Sequence, residues 1–194
     1  NVAADPLLSA CNTGVNAGLV ILAADDPSMF SSQNEQDSRN YAAFARVPML
    51  EPADSAEAHE FAQRAFQISE DFDTPVMIRE SMRIAHTKSL VDCSEKRVGD
   101  DLRDFTPYAS KYVMMPAYAR GRRQAVIERT RELVEFAEAT DLNRIEMRDS
   151  SIGIIASGAV YQHVREALPQ ASTFKLGLSW PLPPAKLKEF ADAV

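Results

Sequence analysis

A short apolar run that ends abruptly in acidic residues is the feature that most constrains how this chain folds. Leu19–Ala23 is an unbroken β-prone run, and Asp25, Asp26 and Pro27 follow it. A run of this length and composition is typical of a strand buried on both faces of a parallel sheet. A polar loop then starts at the carboxyl end of the strand, which is the edge where open α/β sheets bind their ligands.

The residues after this loop predict an alternation of strands and helices. Asp54 and Glu57 have the spacing of a capping box, in which the Asp54 side chain accepts a hydrogen bond from the Glu57 amide. Val76–Ile78 is predicted to be the next strand, and the order of elements favours a parallel sheet. Helical spacing predicts one buried face between these two points, formed by Ala58, Phe61, Ala62, Ala65, Phe66, Ser69 and Phe72.

The second half of the chain predicts another α/β unit. Residues 87–119 lack a regular period and are expected to be a surface connector. A long amphipathic helix is predicted over 122–139, with Val126, Ile127, Leu133, Val134 and Ala137 inward. Further predicted elements are a strand at 151–156, a helix at 159–168, a strand at 173–176 and a last helix ending at 194. We therefore expect the α/β class, with two units of mainly parallel sheets at 1–90 and 151–194 and a connector with a long helix at 91–150.

Charge and composition narrow the range of partners. The 28 acidic and 21 basic residues give a net charge of -7 without a basic run, which disfavours nucleic acid as a partner. Cys11 and Cys93 are far apart and form no CxxC pattern, so a cytoplasmic protein without its own zinc or iron–sulfur framework is expected. The longest apolar run, residues 17–24, is too short to span a membrane, and no leader sequence precedes it. Because the first residue is Asn1 and not methionine, we expect a piece of a longer polypeptide.

The loop Ser31–Asp37 carries the strongest sign of a binding site. Its serine, glutamine, asparagine and acidic side chains supply donors and acceptors that suit a polar small molecule. A solvated loop with Asx turns and a helix cap explains the same composition equally well. Arg79 and Arg83, near the end of the next strand, could clamp a carboxylate, although a surface ion pair with Glu80 is the simpler explanation.

Other candidate groups are weaker. Asp25 and Asp26 could hold a divalent ion, but Pro27 after them more simply indicates a turn. Ser157-Gly158 could bind an anion at a helix N-terminus, although ordinary strand-to-helix turns have the same sequence. The three histidines do not cluster, and only the middle one is placed where a ligand could lie; they are His59, His86 and His163.

Four segments resemble, in the same order, the 2-oxoacid:ferredoxin oxidoreductase family, in particular the alpha subunits of its indolepyruvate type. Together they span essentially the whole chain, and the ADDP lead with the SSQNEQDSR block is the most specific part. Two positions depart from the motif, since Phe30 stands where the family has histidine and Ala17 where it often has glycine. The segments are NVAADPL, TGVNAGLVILAADDPSMFSSQNEQDSRNYAAFARVPMLEPADSAEA, TPVMIRESMRIAHTKS and IGIIASGAVYQHVREALPQASTFKLGLSWPLP.

The resemblance implies both a fold and an activity. The unit at 1–90 resembles a partial thiamine-pyrimidine-type domain, and the unit at 151–194 resembles an incomplete transketolase C-terminal-like domain. The implied enzyme uses thiamine diphosphate, magnesium and 4Fe-4S clusters to convert an aryl 2-oxoacid and CoA into an acyl-CoA. The implied protein partners are a beta subunit and ferredoxin, which receives the electrons.

The resemblance also implies which residues face the substrate or cofactor, in positioning roles and not as proton-transfer groups. The family's activating glutamate lies upstream of the segment that matches Asn1, so the catalytic residues within this chain are unknown. Because the chain lacks the magnesium-binding and cysteine-rich domains, we expect it to bind none of the cofactors alone and to be inactive alone. The matching positions are Ser31, Ser32, Gln33 and Asn34 in the loop, and Arg83 and His86 after the last strand of the first unit.

An alternative hypothesis is a non-catalytic assembly or interaction module that keeps only the packing surfaces of this fold. Incomplete sheets leave unpaired edges and apolar faces, so self-association is expected under either hypothesis. The two hypotheses differ in whether the polar loop takes part in turnover.

Overall fold

The computed structural model describes residues 2–93 and 104–194 and contains two sheets with helices packed around them. The helices are α1 (Ala4–Thr13), α2 (Arg39–Ala45), α3 (Ser55–Asp71), α4 (Met82–Ala85), α5 (Ala109–Tyr112), α6 (Pro116–Ala139), α7 (Val160–Ala167) and α8 (Pro184–Ala193). The strands are β1 (Val20–Asp25), β2 (Met49–Leu50), β3 (Val76–Ser81), β4 (Asn143–Glu146), β5 (Asp149–Ser157), β6 (Ala171–Leu176) and β7 (Leu178–Trp180).

Parallel pairing predominates in the two sheets. The first sheet has the strand order β1-β3-β2-β7, in which β1 and β2 are parallel to β3 and β7 is antiparallel to β2. The second sheet has the order β4-β6-β5, with β5 parallel and β4 antiparallel to β6. The predicted α/β class with mainly parallel sheets is therefore confirmed.

The prediction that the first strand is buried on both faces is wrong. β1 lies at the edge of the first sheet, and no described strand pairs with its other side. Its side chains alternate in exposure: Leu22 is 63% exposed, whereas Ile21 and Ala23 pack against a buried cluster that contains Met77. The apolar composition correctly indicated a strand, but it could not show how much of the other face would be covered.

Helix α3 forms as its capping sequence predicts. The Asp54 Oδ1 atom accepts a hydrogen bond from the Glu57 N–H at 2.9 Å, and the Glu57 carboxylate accepts one from the Ala53 N–H at 2.8 Å. Phe61 is buried as expected, but Phe66 is 52% exposed, so its assignment to the buried face is wrong. The buried side chains of α3 pack against the first sheet, and Phe66 is not among them.

The long helix α6 begins at Pro116, six residues before the predicted start, because proline is well suited to the first turn of a helix. Val126, Leu133 and Ala137 are buried as predicted. The side chain of Arg129 is also buried, and it donates hydrogen bonds to the carbonyl oxygens of Cys11 and Asp73. Much of the predicted connector falls on residues 94–103, which lie outside the described residues, and α5 forms within the rest of it.

Two short strands, β4 and β7, were not predicted from the sequence. β7 lies inside the predicted unit at 151–194, yet it pairs with β2 of the first sheet. Gly177 is the residue between β6 and β7, and a Cβ atom there would lie 2.4 Å from the Leu142 carbonyl oxygen. Only glycine therefore allows the chain to cross between the sheets so closely. The division into 1–90, 91–150 and 151–194 stays a prediction.

The helices in the described part of the chain are not membrane-spanning segments. None of them combines the length and the apolar composition needed to cross a bilayer. The longest, α6, has 24 residues, and charged side chains occur along its whole length.

Candidate functional site

Asp26 organises the polar loop that follows β1. Its carboxylate accepts hydrogen bonds from the backbone N–H groups of Phe30, Ser31 and Ser32 at 3.1, 2.7 and 2.8 Å. Ser28 and Met29 adopt the left-handed conformation, with φ angles of 69° and 54°. That conformation costs roughly 1 kcal/mol or more for each residue that is not glycine. The loop is therefore held in one shape by Asp26 against the preference of its own backbone.

Asp25 belongs to a different cluster, which connects β1, β2 and β3. Its Oδ2 atom accepts hydrogen bonds from the Ser38 N–H and from the Arg79 guanidinium. Arg79 also donates to Glu51 Oε2 at 2.9 Å, so one arginine joins two carboxylates that are each about 95% buried or more. The expected surface ion pair between Arg79 and Glu80 is therefore wrong: Arg79 points to the interior, where two buried acids require a counter-charge.

The two aspartates do not form a cation site in this structure. Asp25 and Asp26 turn toward different sets of protein donors, as described above. Across residues 2–93 and 104–194, no group of three or more histidine, cysteine, aspartate or glutamate side chains could hold a metal ion.

A cavity of about 630 Å³ opens at the carboxyl edge of the first sheet and reaches the start of α7. Its size is in the range of small-molecule sites. Its wall combines apolar and positively charged side chains. The apolar part comprises Pro27, Phe30, Pro52, Met82, Ile84, Ala159 and Val160, and the polar part comprises Arg39, Glu51, Arg79, Ser81, Arg83, Ser157 and His163.

The predicted loop residues lie beside this cavity and not in its wall. Asp26 accepts hydrogen bonds from the backbone N–H groups of Ser31 and Ser32 and from the Ser31 hydroxyl, and Ser32 is only partly exposed. Gln33 and Asn34 are exposed, and the Asn34 side chain accepts a hydrogen bond from Gln36 at 3.1 Å.

The structure places the two predicted residues after β3, Arg83 and His86, in different surroundings. Arg83 lines the cavity, and its guanidinium lies 5.8 Å from the centre of the Phe30 ring. His86 is exposed at the end of α4 and does not line the cavity. His163, which was not expected near a ligand, does line it, because α7 starts at the same edge.

Glu51 is a cavity residue that the sequence reasoning missed. It directly follows β2, so its position at the carboxyl end of a parallel strand was the available signal. Its Oε2 atom is shared by Arg79 and the Ser157 hydroxyl, whereas its buried Oε1 atom has no hydrogen-bond partner among the described residues. An unpaired buried carboxylate oxygen in a cavity wall is costly, and such atoms often mark a site where a ligand or water binds.

Substitution of Asp26 by asparagine should loosen the loop in a pH-dependent way. The hydrogen bond from the Ser31 N–H, followed by those from Ser32 and Phe30, holds the pKa of Asp26 below its usual value. The carboxylate therefore stabilises the fold fully above its unfolded pKa of about 3.9, and this stabilisation is lost as pH falls through the lower folded-state pKa. In denaturant unfolding between pH 7 and pH 2, wild type should be more stable than Asp26→Asn at neutral pH, and this difference should shrink as the pH falls. A constant difference across this range would contradict the role given to the carboxylate.

Comparison with known proteins gives the family context. No protein-family model matches the chain. The proteins named indolepyruvate oxidoreductase subunit IorA from Methanothermobacter marburgensis and Thermococcus kodakarensis are 41% and 39% identical to it, over 200 and 205 aligned residues. The alignments cover 100% of the chain and 32% of each relative. The chain is a homologue of part of this subunit. It spans about a third of the length of these relatives, and the resemblance found in the sequence is confirmed.

A solved structure supports the same fold. The 2-oxoglutarate:ferredoxin oxidoreductase from Magnetococcus marinus, with 2-oxoglutarate, coenzyme A and succinyl-CoA bound, superimposes with a TM-score of 0.69 at 13% identity. The match covers 99% of this chain and 42% of that one. At this level of identity the likeness establishes the arrangement of helices and strands and nothing about the ligands of this chain.

Proposed function

We propose that this chain forms one wall of the active site in an indolepyruvate ferredoxin oxidoreductase that acts in the cytoplasm. The complete enzyme would oxidatively decarboxylate an aryl 2-oxoacid to an acyl-CoA, together with a beta subunit, and pass the electrons to ferredoxin. The observation that carries the proposal is the homology to IorA along the entire chain. The cavity at the carboxyl edge of the first sheet adds support, because that edge is where α/β sheets bind their ligands.

The described residues do not by themselves fit thiamine diphosphate with magnesium. Hard cations need several oxygen ligands, but Asp25 and Asp26 are already engaged by protein donors, and Glu51 has one oxygen on Arg79 and one buried oxygen without a partner among the described residues. A 4Fe-4S cluster needs four cysteine thiolates, and the sequence contains only Cys11 and Cys93. We therefore propose that the rest of the enzyme supplies these groups, and that the chain alone binds none of them.

In this proposal the chain contributes positioning. Asp26 holds the start of the loop through the backbone of Ser31 and Ser32 and through the Ser31 hydroxyl, and the side chains of Gln33 and Asn34 are exposed beyond it. The hydroxyl and amide groups of this loop can orient the carbonyl of an oxoacid at the rim of the cavity, which lowers the entropic part of the barrier. Arg83 would supply positive charge at the cavity, and His86 would lie at the outer end of the same segment.

Replacing Gln33 and Asn34 together by alanine in the complete enzyme tests the proposal. We expect kcat/KM for indolepyruvate to fall by about 10- to 100-fold, since a small misplacement of a substrate has effects of this order. The matched control is Gln124→Ala, which removes an exposed amide from α6, and it should leave the kinetics unchanged.

Unchanged kinetics in the double variant would remove the loop from the active site. That result would favour the alternative candidate, a non-catalytic assembly module. Exposed apolar side chains support that alternative: Leu22 on the edge strand β1 is 63% exposed, and Phe44 on α2 is 73% exposed. Self-association through such a surface stays a prediction.

A further inference from the structure

Phe30 is an exposed aromatic side chain that the loop holds at the rim of the cavity. The ring is 61% exposed, although burying a phenylalanine is normally favourable. The Phe30 N–H donates to Asp26, and the two residues before it, Ser28 and Met29, are in the left-handed conformation. The backbone before the ring is thus fixed against its own preference, and in this conformation the ring stays exposed at the cavity. Such an arrangement is typical of a side chain that contacts a ligand.

Arg83 lies against this ring and is the cavity arginine whose charge is uncompensated. Arg79 is neutralised by Asp25 and Glu51, and Arg39 by Asp37. Among the residues that the structure describes, Arg83 has no ion pair, and its guanidinium instead lies near the face of Phe30. A guanidinium in this position is available to an anionic group of a ligand.

Helix α7 supplies another part of the wall that suits the same kind of ligand. Val160, 59% exposed, is the first residue of this helix and lines the cavity. Its side chain adds apolar surface, and the N-terminal end of the helix adds a partial positive charge. The cavity therefore offers apolar contact for a ring and positive charge for a carboxylate.

We propose that Phe30 is the residue of this cavity that selects aryl ligands. The ring of a bound aryl carboxylate would lie against Phe30 and Val160, and its carboxylate would lie at Arg83. The identity of the natural ligand, an aryl 2-oxoacid, rests on the proposed function, but binding of an aryl carboxylate does not require turnover. The cavity volume of about 630 Å³ is sufficient for an indole ring with a short acid side chain.

Two probes test this inference by calorimetry on the complete enzyme: indole-3-acetate, and 3-methylindole, which lacks the carboxylate. Phe30→Ala should weaken both probes by about 5- to 20-fold, because the ring contact is lost. Arg83→Gln should weaken indole-3-acetate by about tenfold or more and leave 3-methylindole unchanged. Phe30→Leu, which keeps apolar volume in the loop, should fall between wild type and Phe30→Ala.

Phe44→Ala is the matched control, because Phe44 is similarly exposed but lies on α2 outside the cavity wall, and it should bind both probes like wild type. The inference is overturned if neither probe binds, or if binding is the same in the Phe30 and Arg83 variants as in wild type. If indole-3-acetate binds as expected but no aryl 2-oxoacid is turned over, the cavity inference stands and the proposed function fails.

Discussion

Arg79→Met is expected to lower the free energy of unfolding by about 3 to 5 kcal/mol, since it breaks a buried ion pair by removing one partner. The side chain of Arg79 is 11% exposed, and those of Asp25 and Glu51 are 4% and 3% exposed. Without the guanidinium, these two buried carboxylates would lose the counter-charge that they share. Denaturant unfolding at neutral pH, followed by circular dichroism, measures the loss.

Arg131→Met provides the comparison for this experiment. Arg131 forms an ion pair with Glu128 on the surface of α6, where both side chains are more than half exposed. Exposed pairs contribute about 0 to 1 kcal/mol, so the same substitution should have little effect there. If the two variants lost the same small amount of stability, Arg79 would not be balancing buried charge.

The other large effect is expected at Glu57 and Lys175, which form an ion pair between α3 and β6. Lys175 is fully buried near the rings of Phe61 and Tyr161, at 5.0 and 5.9 Å, and burial lowers the pKa of its ammonium group. Glu57→Met leaves this ammonium without its carboxylate. We expect a loss of about 3 to 5 kcal/mol in the free energy of unfolding.

The double variant Glu57→Met, Lys175→Met should be much more stable than either single variant. Both charges then leave the interior together, and the remaining cost is about 1 to 2 kcal/mol from the lost acceptor for the Ala53 N–H and the lost ion pair with Arg144, whose guanidinium is half exposed and stays solvated. Glu60→Met, on the exposed face of the same helix, should change stability by less than about 0.5 kcal/mol. Additive losses in the double variant would show that the two charges do not interact.

The parts of the fold that could be predicted from sequence are those fixed by local chemistry. The capping box at Asp54 and the helical spacing after it specify α3 without reference to the rest of the chain. The exposure of Leu22 and the pairing of Leu178–Trp180 depend instead on which distant elements pack against them. A strand of three residues also has too short a pattern to be recognised.

The candidate site divides in the same way. The place of the polar loop could be predicted because the loop follows the carboxyl end of a strand, and the family resemblance indicated Arg83. His163 was missed because the cavity combines segments more than a hundred residues apart, which no local pattern connects, whereas Glu51 was overlooked although it follows the carboxyl end of β2. In the sequence Phe30 stands out only as a departure from the family motif, whereas its place in the cavity wall depends on the hydrogen bonds that Asp26 accepts.

The position of β7 has a consequence for how the protein is made. Met49 and Leu50 of β2 are fully buried, and their outer neighbour is a strand that the ribosome synthesises about 130 residues later, after both β4 and β6. A nascent chain that ends before Leu178 would leave β2 as an open, apolar edge able to pair with other chains. Within this chain, the first sheet therefore begins before the second sheet and is completed after it.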